Sequence, residues 1–426
     1  MIKQYFKQAW QLLKDNPVLS AISIIGTALA ICMIMVMVMS HEVKNAPYAP
    51  ETNRDRTLYV KWITSTEKDA DKGSSNGAIS YDYAKKHFKE LKTPEAVSIV
   101  IAFPQSVIVS ALGENMAYSH EKRLTDEAFW QVFDFAFIDG KPYTKADVDA
   151  GLRKVVINET IAREIFGSTA VTGKTILIDY TEYTVSGVVR DVSTLATAAY
   201  AQMWMPITSE IVVNEGNGIT GSCRAYILAS SAKDFPAIRE EAETLRLKFN
   251  DASTTYIALY RDQPDTQFVY NHRKWANVAP NIKVIVRQSI IVLALLLIIP
   301  AINLSGMMSS SMKKRLAELG VRRAFGATRG NLLSQVMWES MLQTLLGGLL
   351  GLILSFIAAY ALKGIIYEDS NMAYMLGEAT INSLSLLSPA IFLYAFLFCL
   401  LLNVLSAFVP AYNVSRKPIV DSIHSK

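Results

Sequence analysis

The sequence predicts an α-helical membrane protein with four transmembrane helices and a large mixed α+β domain outside the membrane, in which two β-α-β units flank an inserted, mostly β subdomain. Three observations predict it. Apolar runs of membrane-spanning length gather at the two ends of the chain, basic residues mark alternate flanks of those runs, and the long middle stretch mixes strand and helix periodicities. At 426 residues, 51% of them hydrophobic, the chain has room for two or three domains.

The spans come first. Residues 18–40 and 288–311 carry no charge over a length that crosses a hydrocarbon core as a helix, and 335–362 and 384–410 follow. Lys3, Lys7 and Lys14 precede the first run as they would a secretory signal, but the run is much longer than a signal core. Leu29-Ala30-Ile31-Cys32 resembles a lipoprotein cleavage site, which the large Ile31 breaks, so the expectation is an uncleaved helix. Before it, 1–17 reads as an amphipathic helix on the inner surface, with Ile2, Phe6, Ala9, Trp10 and Leu13 at helical spacing, or as a charged flank with incidental aromatics.

Charge gives the orientation. Lys313, Lys314, Arg315, Arg322, Arg323 and Arg329 lie between the second and third runs, and Arg416, Lys417 and Lys426 follow the fourth. The segment 363–383 offers Lys363 against Glu368, Asp369 and Glu378. By the positive-inside rule, 1–17, 312–334 and 411–426 are cytoplasmic, while 41–286 and the short loop 363–383 face outward. The basic residues track the membrane crossings, so nucleic acid is not an expected partner, whereas membrane lipid is.

Within 41–286, strands are expected at 58–63, 97–102, 107–112, 225–228 and 254–260, and a helix at 81–91. Ile238, Ala242, Leu245 and Phe249 make one apolar stripe of a second helix, which reads as core. The inserted subdomain is expected at about 124–221, with strands at 154–158, 175–179 and 183–189, a helix at 159–166 and a flexible exit at Gly216, Gly218 and Gly221. The Ser/Gly run 72–77 reads as a surface loop.

Chemistry is sparse. Gly167 to Thr175 imitates a phosphate-binding loop, but its glycines stand one residue too far apart for backbone N–H groups to converge on one phosphate. The five histidines have no metal-ligand spacing, and Cys32, Cys223 and Cys399 form no disulfide or metal framework. No cofactor, metal site or catalytic residue is expected, and the chain reads as a non-enzyme. Inside the spans, Asn303, Glu339 and Asn403 are costly toward lipid and so should face other helices. Glu339 suits either an interfacial pair with a nearby Arg or transport chemistry. Pro300 should kink the second span. Gly347, Gly348 and Gly351 allow close helix packing, in a dimer interface or within one subunit.

The stretch from Lys314 to Thr328, KRLAELGVRRAFGAT, followed by Glu339-Ser340 and Leu345-Leu346-Gly347-Gly348, resembles the signature of FtsX-like permeases of the MacB/LolCE type of ABC transporter. The stretches 129–140, 155–167 and 173–191 resemble the MacB-type periplasmic core domain, and 410–423, PAYNVSRKPIVDSI, resembles the closing motif of the family. The resemblance implies a permease of the bacterial inner membrane that works as a dimer, with a second copy or a paralogue. It also implies a separate ATPase subunit, because only seventeen residues precede the first span. A periplasmic adaptor and an outer-membrane component are compatible with it. Carried over by position, docking to the ATPase falls on Arg315, Glu318, Gly320, Arg322, Arg323, Gly326, Ala327 and Thr328. The implied process is mechanotransmission, driving export or extraction of a peptide, drug or lipoprotein. The alternatives are an FtsX-like regulator of cell-wall hydrolases and, from another class, a receptor that only binds a ligand outside.

Overall fold

A computed structural model describes 17–68, 73–114, 116–210, 218–314 and 328–361 in nearly continuous runs, with isolated positions among 10–14, 321–325 and 393–412. Two compact units result, one holding Val43–Ile282 and the other Met1–Glu42, Lys283–Ile366 and Ser383–Lys426. The loop 363–383 and most of the expected amphipathic helix 1–17, of the span 384–410 and of the tail 411–426 lie outside the described residues.

In the second of these units, three long helices are described: Pro17–Asn45, whose last turn belongs to the other unit, Ile282–Lys314 and Arg329–Ala361. Among the described residues, Ser20–Asn45 and Ser340–Ala361 are long and apolar enough to cross a membrane, with mean hydropathies of 2.6 and 2.0. The helix Ile282–Lys314 contains the expected run 288–311 and continues through Pro300.

The other unit is a mixed α/β domain in two lobes. The first lobe contains β1 (Thr57–Val60), β2 (Ile63–Glu67), β3 (Ser74–Ile79) and β4 (Ala96–Ile101). The second contains β5 (Gln105–Ala111), β6 (Ala117–Thr125), β7 (Phe137–Gly140), β8 (Lys154–Asn158), β9 (Thr175–Ile178), β10 (Thr181–Val189) and β11 (Met203–Pro206). The chain then returns to the first lobe through β12 (Thr220–Gly221), β13 (Cys223–Leu228) and β14 (Tyr256–Leu259). The lobes join where Val100 of β4 pairs with Thr125 of β6.

Strand β13 lies between β1 and β4, and all six of its residues are buried. A strand covered on both faces has no need of polar alternation. Its Cys223 is buried, and burial pushes the thiol up to about 12. Thiolate is the reacting form. In a background lacking Cys32 and Cys399, Cys223 is therefore expected to resist maleimide at neutral pH and to react once urea unfolds the chain. Equal rates before and after denaturation would contradict the burial.

One expectation is corrected. Residues 74–77 are strand, the first part of β3, paired antiparallel with β2 from Ser74↔Thr66 to Gly77↔Ile63. Their side chains alternate between exposed and half-buried, and Asn76 Oδ1 accepts from Thr64 Oγ1 at 2.8 Å. A polar, glycine-containing strand is stabilised here by its neighbours rather than by its own propensity.

The second lobe takes in β5 and β6, both of which begin ahead of residue 124. Its helix Glu159–Phe166 is capped by Asn158 Oδ1, which accepts from Ile161 N–H at 3.0 Å, and ends at Gly167 with φ 67°. This helix connects β8 to the β9–β10 hairpin, and β10 then pairs parallel with β8. The aromatic run beginning at Phe129 folds around Trp204, with Phe135 and Trp204 centroids 4.9 Å apart. Trp204 Nε1 donates to Ala199 O at 3.0 Å, so the buried indole keeps its hydrogen bond.

Candidate functional site: the helix ends and the coupling segment

Arg315, Glu318, Gly320, Arg322, Arg323, Gly326 and Ala327 lie outside the described residues, as does Asn403. Thr328 is described. Its hydroxyl accepts from Asn331 N–H at 3.2 Å, the geometry of an N-cap, and the helix Arg329–Ala361 starts at the next residue. Glu339 stands in that helix immediately before its apolar portion, Ser340–Ala361, and Asn303 falls within Ile282–Lys314.

Gly347, Gly348 and Gly351 meet other helices of the same chain. A Cβ added at Gly347 would come within 2.8 Å of Thr27 Cβ, and one at Gly351 within 2.7 Å of Ala28 O. Gly348 faces the ring of Phe396. One turn away, Ser23 Oγ donates to Gln343 Oε1 at 3.1 Å. Small residues let two helix backbones approach this closely.

Sequence reasoning missed the place where the first long helix joins the α/β unit. Arg54 and Glu51 are almost fully buried, and Arg54 Nε reaches Glu51 Oε2 at 2.6 Å. Arg54 Nη1 donates to the carbonyls of Val43 at 2.8 Å and Ala46 at 3.0 Å, and Nη2 donates to Tyr48 Oη at 3.0 Å. A guanidinium over the final carbonyls of a helix satisfies acceptors that lack intrahelical partners and complements the negative end of the dipole. Burial opposes the charge, but Glu51 beside it holds the Arg54 pKa above its ordinary value. Glu51 Oε1 in turn accepts from the N–H groups of Ala198 at 2.8 Å and Ala199 at 3.0 Å. The end of the helix is thereby tied to the segment that leads into β11.

A second clamp holds the segment by which the chain leaves the domain. Asp265 N–H donates to Tyr59 O and Asp265 O accepts from Tyr59 N–H, both at 2.8 Å, which adds residue 265 to the edge of β1. Arg273, fully buried, grips the Asp265 carboxylate through Nε at 2.5 Å and Nη2 at 2.9 Å. Nη2 also donates to Arg261 O at 2.8 Å. The short helix Gln267–His272 between these two residues reaches the first clamp: Gln267 Nε2 and Asn271 Nδ2 donate to Lys44 O at 2.9 and 2.6 Å. Nine residues after Arg273 the helix Ile282–Lys314 begins. The last turn of the first long helix and the segment 261–278 are thus each held by a buried arginine with several acceptors. The Glu51/Arg54 spacing of three was visible in the sequence; their burial was not, because it depends on residues 195–199.

The segment 167–175 is filled from within. The Asp139 carboxylate accepts from Val171 N–H at 2.9 Å and from Thr172 N–H at 3.0 Å and hydroxyl at 2.8 Å. The Thr172 donors hold the Asp139 carboxyl below its usual range. The amides a phosphate would need already serve a carboxylate of the protein, and Lys174 lies over the Phe166 ring at 5.1 Å.

Comparison with known proteins follows the same division. The MacB-like periplasmic core domain matches residues 20–245, just over half of the chain, and the FtsX-like permease C-terminal region matches 290–419. An uncharacterized ABC transporter permease, YknZ of Bacillus subtilis (strain 168), is 24% identical over 375 residues, covering 86% of this chain and 85% of that protein. The macrolide export ATP-binding/permease protein MacB of Hahella chejuensis (strain KCTC 2396) is 24% identical over 329 residues, 72% of this chain but 43% of that protein. The extracellular domain of YknZ from Gram-positive bacteria, known as a crystal structure, aligns over 46% of this chain and 99% of its own at 16% identity, with a TM-score of 0.34.

Proposed function

The chain belongs to the MacB-like periplasmic core domain family and carries an FtsX-like permease C-terminal region, and from that premise we propose that it is the membrane subunit through which a separate ATPase moves a domain on the outer side of the bacterial inner membrane. It spans the membrane four times with both termini inside and pairs with a second permease copy. Its stroke drives export or extraction of a substrate such as a peptide, drug or lipoprotein, and chemistry belongs to the ATPase.

The observation that carries this reading is the double clamp. A domain that only bound a ligand would have no use for tight fixation at its junctions with long helices. Movement of the first long helix reaches the domain only where its last turn is held, and Arg54 with Glu51 holds that turn with charge-assisted bonds out of water, while Arg273 with Asp265 fixes the segment 261–278 ahead of the helix that begins at Ile282. The cap at Thr328, at the start of an unbroken 33-residue helix, supports energy entering at 315–328.

Co-purification tests it. Arg322→Glu combined with Arg323→Glu is expected to abolish retention of the ATPase, because two reversed charges on a docking face meet like charge. Retention equal to that of the unaltered chain would end the assignment of 315–328.

A further inference from the structure

The α/β unit holds a cleft of about 760 Å³ between the helix Phe235–Ala252, the turn after β14 and the segment running to Ile282. Its size falls among small-ligand sites, and its wall sets charged side chains beside apolar ones such as Leu259, Val269 and Ile282. Part of that charge is already engaged. Arg273 is closed on Asp265, and Arg246 holds Glu243 at 2.5 Å and Ala258 O at 2.8 Å. Arg239 donates Nε to Pro264 O at 2.8 Å, and among the described residues its other nitrogens have no hydrogen-bond partner.

Arg261 and Asp262 are exposed and stand consecutively at φ 50° and 69°, a region that costs any side chain other than glycine. Gln263 enforces the turn by accepting from Lys61 N–H at 2.8 Å and donating to Trp62 O and Tyr260 O at 2.5 and 2.9 Å. The fold therefore spends backbone strain to present one cation and one anion side by side. With Arg239 and Glu240 the cleft offers two charges of each sign. An anion alone would meet Glu240 and Asp262 unfavourably, whereas a ligand carrying both charges would match. In the segment beyond Arg273, Trp275 is 70% and Val278 59% exposed. The Val278 carbonyl accepts from Arg273 Nη1 at 3.4 Å, so this apolar pair is attached to the cleft wall just before the helix at Ile282. Tryptophan close to charged groups, seven residues ahead of a long helix, suits the lipid interface.

We propose that this cleft binds the headgroup of a zwitterionic, amine-bearing phospholipid. Arg239 and Arg261 take the phosphate, Glu240 and Asp262 take the ammonium, and Trp275 and Val278 enter the acyl boundary. The assignment rests on the reading that the domain lies on the outer membrane surface. That reading is checked separately, by labelling a cysteine at Ser230 in intact cells with a membrane-impermeant maleimide; absence of labelling would reject the orientation and not the cleft.

The test is lipid retention by the delipidated full chain in detergent, read by native mass spectrometry with phosphatidylethanolamine, phosphatidylglycerol or the dipeptide Lys-Asp. Phosphatidylethanolamine is expected to be retained at least threefold better than phosphatidylglycerol. Arg261→Gln with Asp262→Asn should lower that retention at least fivefold with an unchanged unfolding midpoint, since asparagine tolerates the left-handed region. Arg239→Gln should act in the same direction, and Lys248→Gln should leave retention as it was. Equal retention of both lipids, retention untouched by the double variant, or retention of the dipeptide without the lipid would each overturn the proposal.

Discussion

Arg54→Ala is expected to destabilise the α/β domain by about 3–5 kcal/mol, the cost of removing one partner of a buried ion pair. The loss goes beyond the Glu51 contact. The carbonyls of Val43 and Ala46 lose their donor together with the Tyr48 hydroxyl, and Glu51 remains buried, opposite only the amides of Ala198 and Ala199. Arg54→Lys should recover less than half of the loss, because one ammonium cannot reach acceptors arranged around a planar fork. Urea unfolding of the full chain in detergent, followed by tryptophan fluorescence, reads the midpoint, and hydrogen exchange at Ala198 and Ala199 reads the joint itself. Faster exchange at those amides is the specific signature. If Arg54→Ala left both the midpoint and the exchange alone, the helix end would be held by Gln267 and Asn271 instead. Combined with Glu51→Gln the losses should be markedly less than additive, since the two residues share one network.

The second large effect is expected from Gly351→Leu. Its first side-chain atom would stand 2.7 Å from a backbone oxygen and 3.0 Å from Ile31 Cβ, and neither can rotate aside. The two helices must separate, at about 1–3 kcal/mol or more. Gly347→Leu should behave similarly against Thr27 and the Ile24 carbonyl, while Gly348→Ala should cost less because its neighbour is the ring of Phe396. Cysteines at Ser23 and Gln343, which share a hydrogen bond at 3.1 Å, report the packing. A short bismaleimide should link them within one chain in the unaltered protein and fail to do so in Gly351→Leu. Linkage only between two chains would place the glycines in a dimer interface instead.

Much of the α/β domain was legible in local signals. Lys154–Asn158 and Glu159–Phe166 were expected at their observed limits, because an apolar strand ends on a capping asparagine and the helix ends on a glycine at positive φ. The stripe Ile238, Ala242, Leu245 and Phe249 packs on the core as its spacing required. Strand β3 was hidden because Ser74, Ser75 and Asn76 carry loop chemistry and become strand only through pairing with β2, while β12 and β13 pair with its end at Ala78 and Ile79. The clamps were hidden for a related reason. A buried arginine has no signature of its own, and the residues that bury Arg54 arrive about 140 positions later, at Leu195. The cleft was equally silent, since the turn at Arg261 and Asp262 contains no glycine to announce a left-handed backbone.

The helix that Thr328 caps is longer than a bilayer requires. Thirty-three residues rise about 50 Å, of which the apolar portion from Ser340 accounts for about 33 Å, close to the thickness of the hydrocarbon. The eleven residues from Arg329 to Glu339 are then a stalk about 16 Å long, continuous with the buried part. Under the function proposed above, a stalk of that length would act as a lever arm with its pivot at the lipid surface, where a tilt of about 10° sweeps its tip through about 3 Å. Inserting one residue into the stalk would change its reach by only about 1.5 Å but would turn everything beyond it by about 100° around the axis. The stalk should therefore tolerate whole-turn insertions of seven residues better than single ones.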